Sequence, residues 1–287
     1  MNNFRTQWKA IGIPFRTVSL GYDHQFFFSN ERFSAGAIVI NDQSGDEKLM
    51  VNKFFVSGGY GKTFGTNDFH FGIQGGYILK NYNTSKMTFP NQFDVTKGEF
   101  DKTLPNNEKS LGDQTSFMDF NSGIAWTGIV GKFQPKVGFA LFHLSKPGES
   151  FLKKNTRLSL RSVFHIGGKI DLDEKYFLMP NLFFMNNSKA NDLLLGANLG
   201  MKLKENTPKI KSVFAGPLFR GGVGRNSDAL IFIFGVNFLQ LDAGLSYDIN
   251  ISTLRSSTRN RGALEFSIIF TNMSTRVTKV TTPCDRY

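Results

Sequence analysis

The chain has 287 residues, among them 31 Phe and 29 Gly, with 14% aromatic and 40% hydrophobic content and a formal charge of +11. Its longest apolar stretch, Leu230 to Phe234 resuming at Val236 and Phe238, falls far short of the run of about 18 that a membrane-spanning helix needs. Cys284 is the only cysteine, which excludes an intrachain disulfide and a cysteine-based metal site, and the Lys and Arg are scattered rather than clustered, which argues against a nucleic-acid partner.

Met1 is followed by Asn2, Asn3, Phe4 and Arg5, without the basic start and apolar core of a secretory signal. The expectation is a sequence that begins after its signal. From there the dominant pattern is alternation with period two, the mark of strands with two unlike faces.

Strands are predicted over Asn3 to Trp8, Phe15 to Phe28, Arg32 to Ile40, Val51 to Phe64 and Asp68 to Lys80. In the last of these, Phe69, Phe71, Ile73 and Tyr77 share one face and His70, Gly72, Gln74 and Gly76 the other. Further strands follow over Ser116 to Thr127, Lys132 to Phe142, Asn155 to Asp171, Tyr176 to Met185 and Asp192 to Leu203. The series ends with Lys211 to Gly222, Ala229 to Val236, Phe238 to Asn250 and Ala263 to Thr271. Leu241, Ala243, Leu245, Tyr247, Ile249 and Ile251 fall on one face, opposite Gln240, Asp242, Gly244, Ser246, Asp248 and Asn250.

The connections between these strands sort by parity. The second, fourth, sixth, eighth and twelfth are short: Ser29-Asn30-Glu31, Gly65-Thr66-Asn67, Thr127 to Gly131, Leu172 to Lys175 and Asn237. Lys204 to Ile210, with Pro208, is somewhat longer. The odd-numbered ones are mostly longer and polar, as in Asn41 to Met50, Asn81 to Thr115, Leu144 to Lys154 and Ile251 to Gly262.

Sandwiches and propellers have no reason to sort loops in this way, whereas outer-membrane barrels pair short periplasmic turns with long external loops and an even strand number. The expected fold is all-β, a transmembrane antiparallel β-barrel of about 14 strands forming one domain over 1–287. Segment 81–115 is then a long extracellular loop without enough apolar content to fold alone, the tail 272–287 is periplasmic, and both termini lie on the periplasmic side.

No catalytic or cofactor signature emerges. His24, His70, His143 and His165 each stand alone on or beside a predicted strand, outside the HExxH or Cys/His spacing of a metal site, and read as lumen or girdle residues. Gly221-Gly222-Val223-Gly224 departs from the dinucleotide pattern, and no Gly-x-Ser-x-Gly elbow occurs. Asn41 to Glu47 gathers three carboxylates around Gly45 but lacks the twelve-residue calcium-loop spacing, so it reads as a solvated turn. The polar face carries the remaining candidates: Arg157, Arg161 and His165 along one wall of the lumen, and Asp242, Asp248 and Asn250 along another. Two readings of that face stand side by side, a hydrated, salt-bridged interior and a socket for a peptide segment.

Several pieces, in order along the chain, resemble the PorP/SprF family of type IX secretion outer-membrane proteins. Phe4-Arg5-Thr6-Gln7-Trp8 resembles the family's Tyr-Arg-Asn-Gln-Trp strand, and Phe15 to Asp23, with Tyr22 and Asp23, resembles the strand after it. Ala37 to Gly45 is similar to the family's strand-to-loop element, with Asn41, Asp42 and Gly45 at its Asn-Asp-x-x-Gly positions. Leu245 to Leu254, with Tyr247 and Asp248, then Gly262 to Ser267, resembles its closing hairpin.

The resemblance implies a non-enzymatic barrel in the outer membrane, without cofactors, that supports secretion or surface anchoring of a large secreted protein or gliding adhesin through its C-terminal domain. Implied partners are that domain, periplasmic or outer-membrane secretion components, and the lipid bilayer. The alternative left open is a passive, porin-like channel for small solutes.

Overall fold

The computed structural model describes residues 1–9, 12–28, 31–44, 49–81, 88–105, 114–151, 156–203, 209–224 and 227–272. The strands run in chain order as β1 (Asn2–Gln7), β2 (Phe15–Phe28), β3 (Glu31–Ser44), β4 (Leu49–Phe64), β5 (Asn67–Asn81), β6 (Phe93–Asp94), β7 (Glu99–Phe100) and β8 (Gln114–Thr127). They continue as β9 (Phe133–Phe142), β10 (Arg161–Asp171), β11 (Tyr176–Asn187), β12 (Ala190–Lys202), β13 (Ile210–Gly221), β14 (Ser227–Phe238), β15 (Leu241–Asn250) and β16 (Arg261–Phe270). A one-turn helix, α1 (Arg255–Thr258), precedes β16.

Fourteen of these strands close a single antiparallel barrel, in the order β1-β16-β15-β14-β13-β12-β11-β10-β9-β8-β5-β4-β3-β2. Each neighbour pair is a hairpin except at the seam, where β1 meets β16 from Asn2↔Ile268 to Gln7↔Ala263. β6 and β7 form a separate two-stranded sheet within the connection after β5. No helix among the described residues is long and apolar enough to cross a membrane.

Which face lines the interior follows from reach. The charges of Lys53 on β4, Asp119 on β8 and Arg161 on β10 lie within electrostatic reach of one another, although β5 and β9 stand between their strands. Only the concave side of a closed sheet brings such residues together. The opposite, convex side carries Leu20 at 60% exposure, Val56 at 67%, Tyr22 at 72% and Phe28 at 73%, while the buried apolar residues among those described are only Val51, Ile78, Phe177, Ala229, Ile231 and Ala263. A water-soluble domain does not turn its large aromatic and branched side chains outward over its whole circumference. A barrel immersed in lipid does.

The interior side is built from polar residues, glycines and rings lying along the wall. An added Cβ at Gly76, Gly200 or Gly235 comes within 2.1 Å of the Phe55, Phe177 or Phe214 ring. In each case the glycine leaves the space over which a cross-strand ring folds flat. His165 lies over Gly138 in the same way.

The strand count and closure follow the alternation, and several local expectations are corrected. Asn41 and Asp42, expected to open a loop, are ladder residues of β3, pairing with Asn52 and Val51 of β4, so the connection there shrinks to 45–48. Gly45, Asp46 and Glu47 lie outside the described residues, as does 273–287 of the expected tail. β10 begins at Arg161 rather than Asn155, because the preceding chain folds back on itself at the Gly148↔Arg157 bridge.

The turn expected at Asn237 falls at 239–240, with Leu239 at φ 53°, and β11 turns into β12 at 188–189, with Ser188 at φ 57°. These tight hairpins adopt positive φ without the Asn-Gly or Asp-Gly pair that announces such turns. The ninth connection is therefore short, and parity survives in the three longest: 82–113, 143–160 and 251–260 all leave one rim. The other rim carries the start of β1 and the end of β16.

Candidate functional site

Two clusters of interior charges lie near the rim of long connections, apart from the Arg32–Asp68–His70 group by the 65–66 turn. At the seam, Arg5 on β1 donates to Glu265 on β16 at 2.8 Å and reaches past it to Asp248 on β15 at 3.0 Å. Arg220 on β13 donates to the same Asp248 oxygen at 2.8 Å and to Asp228 at 2.6 Å, and Asn3 donates to Glu265 at 2.7 Å. Asp248 is fully buried, so both guanidiniums are needed to offset its desolvation.

The second cluster ties connection 143–160 to β8. His143 takes a left-handed backbone at φ 62°, placing its Nδ1 2.8 Å from the buried Asp119 carboxylate while its backbone N–H donates to Asn121 Oδ1 at 3.1 Å. Asn121 in turn donates to Gln74 Oε1 on β5 at 2.9 Å. Arg161 stacks over Phe142 at 4.8 Å. Lys80 on β5 pairs with Glu149 of the same connection and stands over Phe117 at 5.6 Å. A third tie holds connection 251–260, where Asn250 Nδ2 donates to the buried Thr258 hydroxyl at 3.1 Å.

The motif residues separate into those the fold unites and those it scatters. Arg5 and Asp248 meet directly across the seam. Gln7 pairs in register with Phe15 and Ala263. Trp8, at φ 58°, donates its backbone N–H to the Gly262 carbonyl at 3.0 Å and sets its ring edge-on to Phe15 at 5.0 Å.

Tyr22 and Tyr247 face outward at 72% and 43% exposure, and Asp23 lies beside Gly36. Asn41 donates to Asn52 Oδ1 at 2.7 Å, and Asp42 accepts from the Thr17 hydroxyl at 2.9 Å.

Of the lumen candidates, Arg161 and His165 stand on the interior side of β10, whereas Arg157 lies in connection 143–160. Asp242 accepts from Asn237 at 2.6 Å on β15, a separate stretch of wall. Arg220, Asp119, Lys53 and Lys80 were missed in the sequence, where each is one more charge on an alternating strand. Their convergence depends on which strands neighbour one another.

Among the described residues no three His, Cys, Asp or Glu side chains converge as metal ligands. Both clusters are cross-braces: they fix the seam and the long connections rather than present a reactive atom.

The barrel is similar in structure to a BamA from Haemophilus ducreyi lacking POTRA domains 1–3, with a TM-score of 0.48 and 8% identity, covering 93% of this chain and 69% of that one. A mutant of the TodX monoaromatic hydrocarbon channel gives a TM-score of 0.48 at 9% identity over 93% of this chain and 85% of the other. An Rh. blastica porin mutant gives 0.36 at 8% identity over 94% and 97%. Likenesses at this level carry no argument, and the barrel is read from the chain's own closed sheet. A comparison with curated proteins finds no match. The family described as type IX secretion system membrane protein PorP/SprF matches residues 1–270, which takes in every strand of the barrel, and the chain belongs to that family.

Proposed function

We propose that the barrel holds a large secreted surface protein or gliding adhesin at the outer membrane through that protein's C-terminal domain. In this reading the whole chain is one barrel, with the rim of long connections, segment 81–115 included, outside the cell. The start of β1, the end of β16 and the tail 272–287 face the periplasm, where other secretion components dock. No enzymatic step is involved.

The observation that carries this reading is the anchoring of the long connections. Connections 143–160 and 251–260 are tied back into the wall by His143–Asp119, Lys80–Glu149 and Asn250–Thr258. Loops held in this way form a pre-organised rim, which lowers the ordering cost of gripping a partner. Arg161, His165, Asp242 and Asn250 would face any peptide segment entering from that rim, with Arg157 in the loop above it.

Purification from native membranes tests the reading. The barrel is expected to bring down a secreted C-terminal domain together with secretion components, and a variant with 82–113 replaced by a short Gly-Ser link should fold yet lose the secreted protein. Repeated recovery of the intact barrel alone would overturn it.

A second reading, a passive channel for small solutes, is favoured by the rings lying flat over Gly76, Gly200 and Gly235, which keeps them out of the lumen. Conductance in a planar bilayer separates the two, since an occupied socket is silent and an open pore is not.

A further inference from the structure

The convex side of the barrel carries a depression that neither the seam nor the long connections explain. Along β4, β5, β8 and β9 the outward row Gly58, Ile73, Ser122 and Leu141 includes two small residues, and an added Cβ at Gly58 meets nothing within 4 Å. The next row toward the rim of short turns is large: Tyr60, Phe71, Ile124 and Phe139 pair across the same strands. Below it stand Phe69 and Trp126.

Small side chains above and tall rings below leave a cavity of about 370 Å³ between Tyr60, Phe71, Trp126 and Phe139, with Ile124 on its floor. It lies within the range of about 300–1,000 Å³ typical of small-molecule sites. The Trp126 ring is fixed in place by its N–H, which donates to Asn67 Oδ1 at 3.0 Å.

At the end of the cavity nearest the short turns the surface changes character. Lys62, which lines the cavity, pairs with Glu31, and the Tyr60 hydroxyl donates to the same carboxylate. A cation and an anion side by side at one end of an apolar slot match a ligand with one long tail and a dipolar head. A purely anionic head would meet Glu31 and be repelled.

We propose that this depression binds one phospholipid with a zwitterionic headgroup, an acyl chain lying along the cavity, the phosphate at Lys62 and the headgroup ammonium at Glu31. Headgroup recognition by basic residues at the membrane surface supplies the polar half, and burial of methylenes among rings the apolar half. The site differs from ordinary lipid contact in having both a shaped slot and a paired charge. It stands whether or not the barrel carries a secreted protein.

Trp126 is a built-in reporter, because Trp8 is the only other tryptophan. A Trp8→Phe chain is reconstituted in phosphatidylglycerol vesicles containing increasing brominated phosphatidylethanolamine, and separately in vesicles containing increasing brominated phosphatidylglycerol. Quenching of Trp126 by the zwitterionic lipid is expected to saturate at a mole fraction about tenfold lower than that of the anionic one, equivalent to about 1.4 kcal/mol. Ile124→Phe, which fills the slot between Phe71 and Phe139, should abolish the saturating phase, and Lys62→Gln with Glu31→Gln should equalise the two lipids. Quenching proportional to mole fraction for both lipids, or saturation by the anionic lipid first, overturns the proposal. So does an unaltered curve in a folded Ile124→Phe chain.

Discussion

Gly200 shows how much a single missing side chain decides. Its inward position faces Phe177, which is only 3% exposed, and a methyl group there would come within 2.1 Å of the ring. Gly200→Ala should force the ring off the wall and lower stability by about 1–3 kcal/mol, the usual cost of overpacking. Urea unfolding in detergent measures it, and the penalty should shrink in a Phe177→Leu background, where the obstruction is gone. An equal penalty in both backgrounds would place the strain elsewhere. In the sequence Gly200 is legible as a polar-face glycine, but its ring partner is not, since Phe177 and Gly200 meet only through the β11–β12 register.

Among the elements, the clearest case of order within a polar segment is the hairpin of β6 and β7. Phe89 N–H donates to Gln92 Oε1, Gln92 Nε2 donates to the Leu104 carbonyl, and the Phe93 and Phe100 rings meet edge-on at 5.1 Å. Composition alone gave no sign of this, because two short strands in a run of Asn, Lys, Asp and Thr carry no alternation to detect.

Asp94 and Asp101 close the turns by accepting from Thr96 and Thr103, and those hydrogen bonds hold both carboxyls below the usual range. A depressed carboxyl contributes its stabilisation above the ordinary value of about 3.9 and loses it as pH falls through the lowered one. The backbone N–H resonances of Thr96 and Thr103 should therefore keep their hairpin positions at neutral pH and move only in strong acid. Movement between pH 7 and 5 would assign the order to another cause. The strands with clear alternation, by contrast, were legible to within a few residues, except at the start of β10, where the chain before Arg161 folds back at the Gly148↔Arg157 bridge instead of extending the strand.

At the scale of the molecule, closure rests on a ladder running only from Asn2 to Gln7 against β16, joining residues more than 240 positions apart in sequence. The braces of Arg5 and Arg220 on Asp248 stand beside that ladder. Asp248→Asn should cost about 3–5 kcal/mol, the penalty for removing one partner from a buried ion-pair network. The loss should appear as earlier urea unfolding of the purified barrel in detergent, with Arg5→Met in the same background adding less than it does alone. Independent, fully additive effects would mean that Asp248 is not the hub. The motif around Arg5 and the motif around Asp248 could each be read in the sequence. That one completes the other emerges only from the order of strands around the ring.

One property of the ring extends to how the chain could be rewired. The first and last strands finish at the same rim, with Asn2 beside Ile268, so a short linker between them spans almost no distance. Such a splice, with a new opening at the exposed 65–66 turn where Gly65 sits at φ 58°, would give a circularly permuted barrel with every wall contact intact.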